Sequence, residues 1–584
     1  MAIAYDTETT GLNSYCGADM FAYSTCDESG AIEVRRLDKG RAKANTAHLA
    51  SVLDSQEPLI MHNSKFDLHF TEKLTGRNLA DAHPFHDTYI QSHILENDAV
   101  SHRLKDRAYE LADIPKNDEK QVKRFVDDVI GDYSTVPEFL MDEYQALDAE
   151  RTALLHGFFF PMIEADPTRL EIYNTELDLI RVTTRMEGRG LMLRRDRCDE
   201  MSARLERMAE DCTQSVHDAT GRWLNLNSSE HVQWLLYEYL ELPILAKTKK
   251  AHKPKTDKHV LFALREEAPH PLLETLLQFR AWDKGASTLR KYSELADTDD
   301  ILHPEIHTCK AITSRQACSR PNLQNVQKSG SLLVPYPVPV REVFRPRPGY
   351  INVHVDYSGI EMRLLVHYSG EEELVQIMRD GGDVHQPAAE VFYRDKFILA
   401  SPKDRKILRG AAKNANFAIP YGASAIKMTK TLGLPVSVGI QRFMDYGARF
   451  PRLSSLGRTI QEEVRQTGKV VTTFGRELRV PRPKAYVGTN YKIQGTAAGI
   501  LKRAQVRLHD YFENCCAGEI RLLLPIHDEV VFEFPRSQMR WLSDVLRDTR
   551  SLMVDFPQFN VPLEVEASVV KRDWSKKREV PIAS

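Results

Sequence analysis

The sequence predicts an α/β multidomain protein, on three observations. Short apolar strands deliver acids near the N-terminus, helical periodicity fills the middle, and a strand and a hairpin deliver acids again in the C-terminal half. A chain of 584 residues divides into roughly three to five domains with ample core volume. Hydrophobic residues make up 42% and charged residues 28%, the balance of a globular protein. No apolar run reaches the length of a membrane span, and Asp6 and Glu8 come too early for a signal peptide. The eight cysteines form no CxxC pair, which argues against a zinc site or a disulfide framework and for a reducing cytoplasm. The net charge of −3 does not advertise a polyanionic partner. It does not exclude one either, because acids in clefts offset lysines gathered where phosphates pass.

The first 150 residues read as a carboxylate site. Ile3-Ala4-Tyr5 predicts a buried strand running into Asp6-Thr7-Glu8, and alternation puts Asp6 and Glu8 on one face. Adjacent carboxylates repel unless a cation neutralises them, and hard oxygen donors suit Mg²⁺ or Mn²⁺. A lone pair of this kind is more often merely solvated. His62-Asn63-Ser64-Lys65-Phe66-Asp67 adds a third acid where a loop enters a helix. Tyr144 and Asp148, four residues apart, share one helical face.

From Asp166 to Leu302 helical periodicity dominates, with Ser228 as an N-cap and Pro243 as a breaker. Lys247, Lys249, Lys250, Lys253, Lys255 and Lys258 then form a basic loop. By itself such a run is a solvated surface.

The C-terminal half carries three blocks. Ile351 to Val355 predicts a strand that ends on Asp356, with a helix just beyond. The second block is a helix opened by Ser401, Pro402 and Asp404 and stopped at Gly422; Arg409, Lys413, Phe417 and Tyr421 recur on one face. Two cations followed by two aromatics make a poor core stripe and suit phosphates at one end and a base or sugar at the other. Pro420 is expected to kink its last turn. The third block, Leu522 to Phe532, predicts a hairpin lifting Asp528 and Glu529 into a cleft, an acid pair costly to bury unless it binds metal.

The N-terminal motifs, Asp6-Thr7-Glu8-Thr9-Thr10-Gly11-Leu12, His62-Asn63-x-x-Phe66-Asp67 and Tyr144-x-x-x-Asp148, resemble the DEDDy exonuclease superfamily. The three C-terminal blocks resemble motifs A, B and C of family A, polymerase I-like, DNA polymerases, and Gly359 resembles the bacteriophage-type branch. Further matches are Arg315, Pro321 to Asn325, Gly382-Asp383-Val384-His385, Gln494 to Ala498 and Asp573-Trp574. The resemblance implies an RNase H-like 3′→5′ exonuclease domain over residues 1–165, followed by a right-hand polymerase. Its thumb would be 166–302 with the lysine loop near 245–260, its palm 303–375 and 520–584, and its fingers 376–519.

It also implies roles. Asp6, Glu8, Asp67 and Asp148 would hold two metal ions of the exonuclease, with Tyr144 orienting the attacking water. Asp356, Asp528 and the Tyr357 carbonyl would hold two Mg²⁺ ions, replaceable by Mn²⁺, for nucleotidyl transfer, with Glu529 beside them. His385, Arg409 and Lys413 would grip the triphosphate, Phe417 would pack on the nucleotide, Tyr421 would cap the template slot, and Glu361 would crowd a ribose 2′-hydroxyl. Arg315, Asn325, Gln494 and His527 would touch DNA near the primer end, and Lys249 and Lys250 its backbone.

The expected partners are primer-template DNA and dNTPs, with a replicative helicase/primase or a processivity factor as further candidates. A monomer with no membrane contact and no preceding 5′-nuclease domain is expected, acting in phage replication. A single-subunit RNA polymerase would lack the exonuclease acids and Glu361. An inactive DNA-binding descendant would have lost one of the metal acids.

Overall fold

The computed structural model describes residues 2–582 except 39, 130–131, 250, 327–335, 337 and 517. The N-terminal domain is built on a five-stranded sheet of β1 (Ile3–Thr9), β2 (Met20–Cys26), β3 (Ile32–Arg36), β4 (Leu59–Met61) and β5 (Phe85–Asp87). Its order is β3-β2-β1-β4-β5, antiparallel from β3 to β1 and parallel from β1 to β5. The parallel half needs crossover helices, and α1 (Lys65–Thr75) is one of them. There follow α2 (Leu104–Ala112), α3 (Asn117–Val129) and the long α4 (Glu138–Glu164). Leu68 and Phe70 of α1 join Tyr5 and Tyr23 of the sheet in the domain's core.

The next helix, α5 (Pro167–Arg189), starts with Asp166 accepting from the Thr168 and Arg169 amides and Pro167 at the first helical position. It serves two cores. Ile172, Tyr173 and Ile180 join the N-terminal core, whereas Val182 and Met186 join the main one. Near its end the buried Glu187 carboxylate accepts from Lys65 Nζ, from the Ile306 amide and, at 2.6 Å, from His69 Nε2. That one acid ties α1 to the segment leading into the C-terminal half. The expected helical arm beyond it is centred on α6 (Arg195–Thr220) packed along α7 (Pro271–Leu295). Ser228 caps as expected, but the helix it opens relaxes into a π-helical turn over Trp234–Tyr239.

The C-terminal half is organised on a second five-stranded sheet, fully antiparallel. Its strands are β6 (Tyr350–Tyr357), β7 (Arg521–Ile526), β8 (Glu529–Pro535), β9 (Val565–Val570) and β10 (Arg578–Val580), in the order β7-β8-β6-β9-β10. Val353 and Val355 of β6 and Val530 and Phe532 of β8 are fully buried, and β6 is the central strand. Helix α8 (Ile360–Ser369) follows β6 directly. Helix α9 (Pro402–Ala418) stands in the inserted helical segment, and α10 (Gly488–Cys515) leads back to the hairpin β7–β8.

Two expectations about α9 change. The helix ends at Ala418, not at Gly422, and Tyr421 lies in the turn beyond it. Ile419 still donates to the Ala415 carbonyl, but Pro420 has no N–H for the next bond, so the ladder stops instead of kinking. Ala423 donates to the Ala418 carbonyl across Gly422, which sits at φ 86°.

Candidate active sites

In the N-terminal domain, β1 and α4 bring three of the four predicted acids together. Ligand oxygens of Asp6, Glu8 and Asp148 all lie within 4.8 Å of one another. Burial, then mutual repulsion, pushes the Asp6 and Glu8 carboxyls well above the usual carboxylate range. Burial also raises Asp148. Such a cluster suits a divalent cation, which replaces the lost hydration and cancels the repulsion. Asp67 stands differently: its Oδ1 accepts from the Thr7 amide (3.0 Å) and the Thr7 hydroxyl (2.7 Å), outside the tight triplet. Its charge still reaches Asp6 and Glu8, and burial brings its own pKa to about 7.

The site also holds cations that no motif announced. Lys105 Nζ, from α2, sits 3.1 Å from Asp148 Oδ2, 3.1 Å from Asp118 Oδ2 and 3.4 Å from the centroid of the Tyr144 ring. Arg151, one turn along α4, reaches Asp148 at 2.7 Å and Asp118 at 2.8 Å. Tyr144 thus stands beside the acids as expected, and burial and their charge keep its phenol protonated.

In the C-terminal half, the β6 end and the β7–β8 turn face one another. Asp356 pairs in register with Glu529, and the Tyr357 amide donates to the Asp528 carbonyl at 3.2 Å. Only His527 and Asp528 separate the two strands, and His527 adopts φ 57° to close so short a turn. That conformation costs about 1 kcal/mol. The strain sits at the residue that aims Asp528 into the cleft. Gly359 opens α8 at φ 61°, a conformation open to glycine without steric cost.

A cavity of about 540 Å³ is lined by Asp356, Tyr357, Glu361, Phe417, His527 and Asp528, and also by Asn325, Gly359 and Glu529. Across it, Arg315 Nη2 lies 3.2 Å from Glu361 and 3.5 Å from Asp528. Gln494, on α10, accepts from Thr313 at 3.5 Å and so adjoins the segment carrying Arg315. Tyr421 is close enough for the charges of Glu361 and Arg315 to act on its phenol.

The expectation that the buried acid pair needs metal fails for Glu529. Its carboxylate is bonded to His354 Nδ1 and, at 2.7 Å, to Lys577 Nζ. Burial raises its pKa, but these two partners outweigh burial and bring it down to about 2. Lys577 belongs to no motif read from the sequence, and His354 stands within the first C-terminal block with no role read for it.

Of the residues expected to grip phosphates, Arg409 and Lys413 stand on α9 and His385 packs beside it. Arg409 forms a bidentate pair with Asp383, one arm at 2.8 Å. Lys413 is exposed, 5.9 Å from the Phe417 ring centroid, and His385 lies 5.6 Å from the same ring. Tyr446 donates to Asn416 Oδ1, which turns the Asn416 amide N–H toward His385 Nδ1 at 3.2 Å. His385 therefore carries its proton on Nε2, and burial lowers its pKa to about 4. The lysine loop makes a small excursion closed by Thr248 donating to Lys253 (2.8 Å), with Lys249 exposed; Lys250 lies outside the described residues.

Residues 195–576 match DNA polymerase family A, and residues 1–164 match the 3′-5′ exonuclease family. The chain belongs to DNA polymerase family A. It is 32% identical over 452 residues to the thermostable DNA polymerase I of Thermus aquaticus, covering 74% of this chain and 52% of that protein. It is 28% identical over 597 residues to DNA polymerase I of Pseudomonas aeruginosa, covering 97% of this chain and 63% of that protein. The chain thus spans between half and two thirds of these relatives' length. A solved structure described as the POL domain of Pol1 from M. smegmatis in complex with DNA primer-template and dNTP shares the fold. Its TM-score is 0.78 at 23% identity, over 98% of this chain and 96% of that one. The fold is therefore an exonuclease-type domain followed by a family A polymerase domain. The relatives named here are bacterial. No helix among the described residues is long and apolar enough to cross a membrane.

Proposed function

We propose that this family A chain is a template-directed DNA polymerase that extends a primer 3′-hydroxyl with dNTPs and proofreads with its own 3′→5′ exonuclease. The observation that carries this reading is the joint placement of Asp356 and Asp528. Two β-elements far apart in sequence converge on one cleft and are locked by the Tyr357–Asp528 backbone bond. Asp356, Asp528 and the Tyr357 carbonyl would hold two Mg²⁺ ions, with Mn²⁺ able to substitute. When bound, these would acidify the primer hydroxyl and stabilise charge on the leaving pyrophosphate.

The chain's own residues orient the substrates. Lys413 presents positive charge, Arg409 stands beside it in a pair with Asp383 that a phosphate would have to share, the neutral His385 presents Nε2–H, and Phe417 offers an apolar face between them and the acids. Arg315, Asn325, Gln494 and His527 line the primer side, and Lys249 and Lys250 would track the duplex backbone through salt-sensitive contacts. In the N-terminal domain Asp6, Glu8, Asp67 and Asp148 would hold the exonuclease metals, with Tyr144 positioning the water. Gly359 supports assignment to the bacteriophage-type branch, with action in the host cytoplasm as a monomer. A helicase/primase or a processivity factor would be further partners. A primed template with four dNTPs and Mg²⁺ is expected to yield template-directed extension and pyrophosphate; a folded protein giving neither sinks the reading.

Two substitutions probe the nucleotide pocket. Glu361 lines the cleft with Asp356 and Phe417 and is steadied by Arg315. Glu361→Ala is expected to lower the kcat/KM preference for dNTP over rNTP by about 10- to 100-fold, the range for removing one discriminating group from a pocket. Unchanged discrimination removes Glu361 from the sugar site.

Phe417 also lines the cleft, and in this family a Phe at the matching position is associated with poor use of dideoxynucleotides. A phenol hydroxyl there can stand in for the missing sugar 3′-oxygen as a polar partner. Because α9 ends at Ala418 without a kink, Phe417 keeps helical geometry facing the acids. Phe417→Tyr is expected to improve dideoxynucleotide use by about tenfold or more, the scale of one bond in a water-poor site. Competition in an exonuclease-silenced background measures it, and equal discrimination by both proteins removes Phe417 from the sugar.

A further inference from the structure

We infer that Lys105 is a resident counter-ion of the N-terminal acid cluster, a positioning residue that holds Asp148 and sets how strongly the cluster takes divalent cations. The inference rests on the reading of Asp6, Glu8, Asp67 and Asp148 as metal ligands, and goes beyond it by giving the cluster a built-in competitor for those ions.

The geometry is specific. The Lys105 side chain leaves α2, which supplies none of the four acids, and is itself buried at 8% exposure. Its ammonium lies 3.1 Å from one oxygen of Asp148 and lies over the Tyr144 ring face, 3.4 Å from the centroid. A cation held on an aromatic face and between two carboxylates is a fixed charge, not a wandering surface lysine.

Asp118 fixes its other side at 3.1 Å and shares Arg151 with Asp148. The two cations do not do the same work. Arg151 also donates to the Pro115 carbonyl at 2.7 Å and to Asp118 through both of its terminal nitrogens, which marks it as a brace between α3 and α4. The positive charge that acts on both Asp6 and Glu8 is that of Lys105. Buried acids without compensation would drive the strand and α4 apart, and a lysine among them lowers that cost in the metal-free protein. The same charge repels an incoming cation and holds one oxygen of Asp148. Lys105 therefore stabilises the empty cluster at the expense of its affinity.

The test uses the full chain carrying Asp356→Asn and Asp528→Asn, so that the ions counted belong to the N-terminal cluster. Mn²⁺ binding is followed by electron paramagnetic resonance, and Tm is measured with and without Mn²⁺. Lys105→Met, with Lys105→Gln as the alternative neutral variant, is expected to lower the half-saturating Mn²⁺ concentration by about fivefold or more, because one repelling charge is gone. Its Tm should fall without metal and recover when Mn²⁺ is added, since ligand that binds only the folded state restores stability. Lys105→Arg, which keeps the charge, should bind Mn²⁺ much as the parent does. Unchanged or weaker Mn²⁺ binding in the neutral variants, or a Tm loss that Mn²⁺ does not restore, overturns the counter-ion role in favour of plain packing. A parent chain that binds no Mn²⁺ in this background overturns the metal reading of the cluster itself, and the counter-ion with it.

Discussion

The double replacement Asp6→Ala with Glu8→Ala is expected to reduce degradation of single-stranded DNA by at least ~10³-fold while primer extension stays within about twofold of the parent. A bound metal supplies several kcal/mol of charge stabilisation at the leaving oxygen, and each 1.36 kcal/mol is about tenfold in rate. Both acids lie on β1 and project to the cluster shared with Asp148, so both ligands are lost together. The polymerase cleft draws its acids from another sheet, and its lining residues come from 324 onward. The substitutions should also relieve repulsion between buried carboxyls, so Tm should hold or rise. Nuclease and extension assays on one preparation decide it. Loss of extension in a variant with parental Tm shows that the two sites are not independent.

The ease of reading these sites from sequence follows the range of the forces involved. Asp6 and Glu8, the cap at Ser401 and the hairpin around Asp528 are set by interactions a few residues apart, and strand alternation or helix capping makes them visible. Sequence pattern alone puts the end of α9 at Gly422, beyond its true end at Ala418, because a glycine there has the character of a stop. Pro420, with no N–H to donate, has already ended the ladder.

The groups that pattern does not show are the compensating ones. Lys105 meets Asp148 across 43 positions of sequence, Lys577 meets Glu529 across 48, and His354 meets it across 175. Nothing local marks a lysine as the partner of a distant acid, because the pairing exists only once sheet and helices have packed. In sequence the hairpin therefore reads as an acid pair costly to bury without metal, whereas tertiary packing satisfies Glu529 with protein cations. The place of α5 in two cores is equally hidden, since a continuous helical pattern does not record which domain each turn packs against.

That division of the hairpin acids yields the sharpest expectation for the polymerase cleft. Asp528→Asn is expected to lower primer extension by ~10³-fold or more, with Tm close to the parent's and exonuclease activity retained. The bond that locks the turn uses the Asp528 backbone carbonyl, so an amide side chain leaves the hairpin in place. What disappears is a negative charge in the cleft that Asp356 also lines, and with it an oxygen ligand that a hard cation would use. Glu529→Gln should behave in the opposite sense. Its side chain is compensated by His354 and Lys577, and removing the charge leaves the buried His354 and the half-buried Lys577 without their anionic partner, which destabilises the fold.

The pH dependence follows with a definite sign. Glu529 is held at about 2, below its ordinary 4.5, so its stabilisation is complete above the ordinary value and drains away as pH falls toward 2. The parent should therefore lose Tm between pH 4.5 and 2 more steeply than Glu529→Gln. Single-turnover extension at neutral pH and thermal melts over the acid range separate the two acids. Equal loss of extension at equal Tm in both variants would make Glu529 a working ligand instead of a buttress.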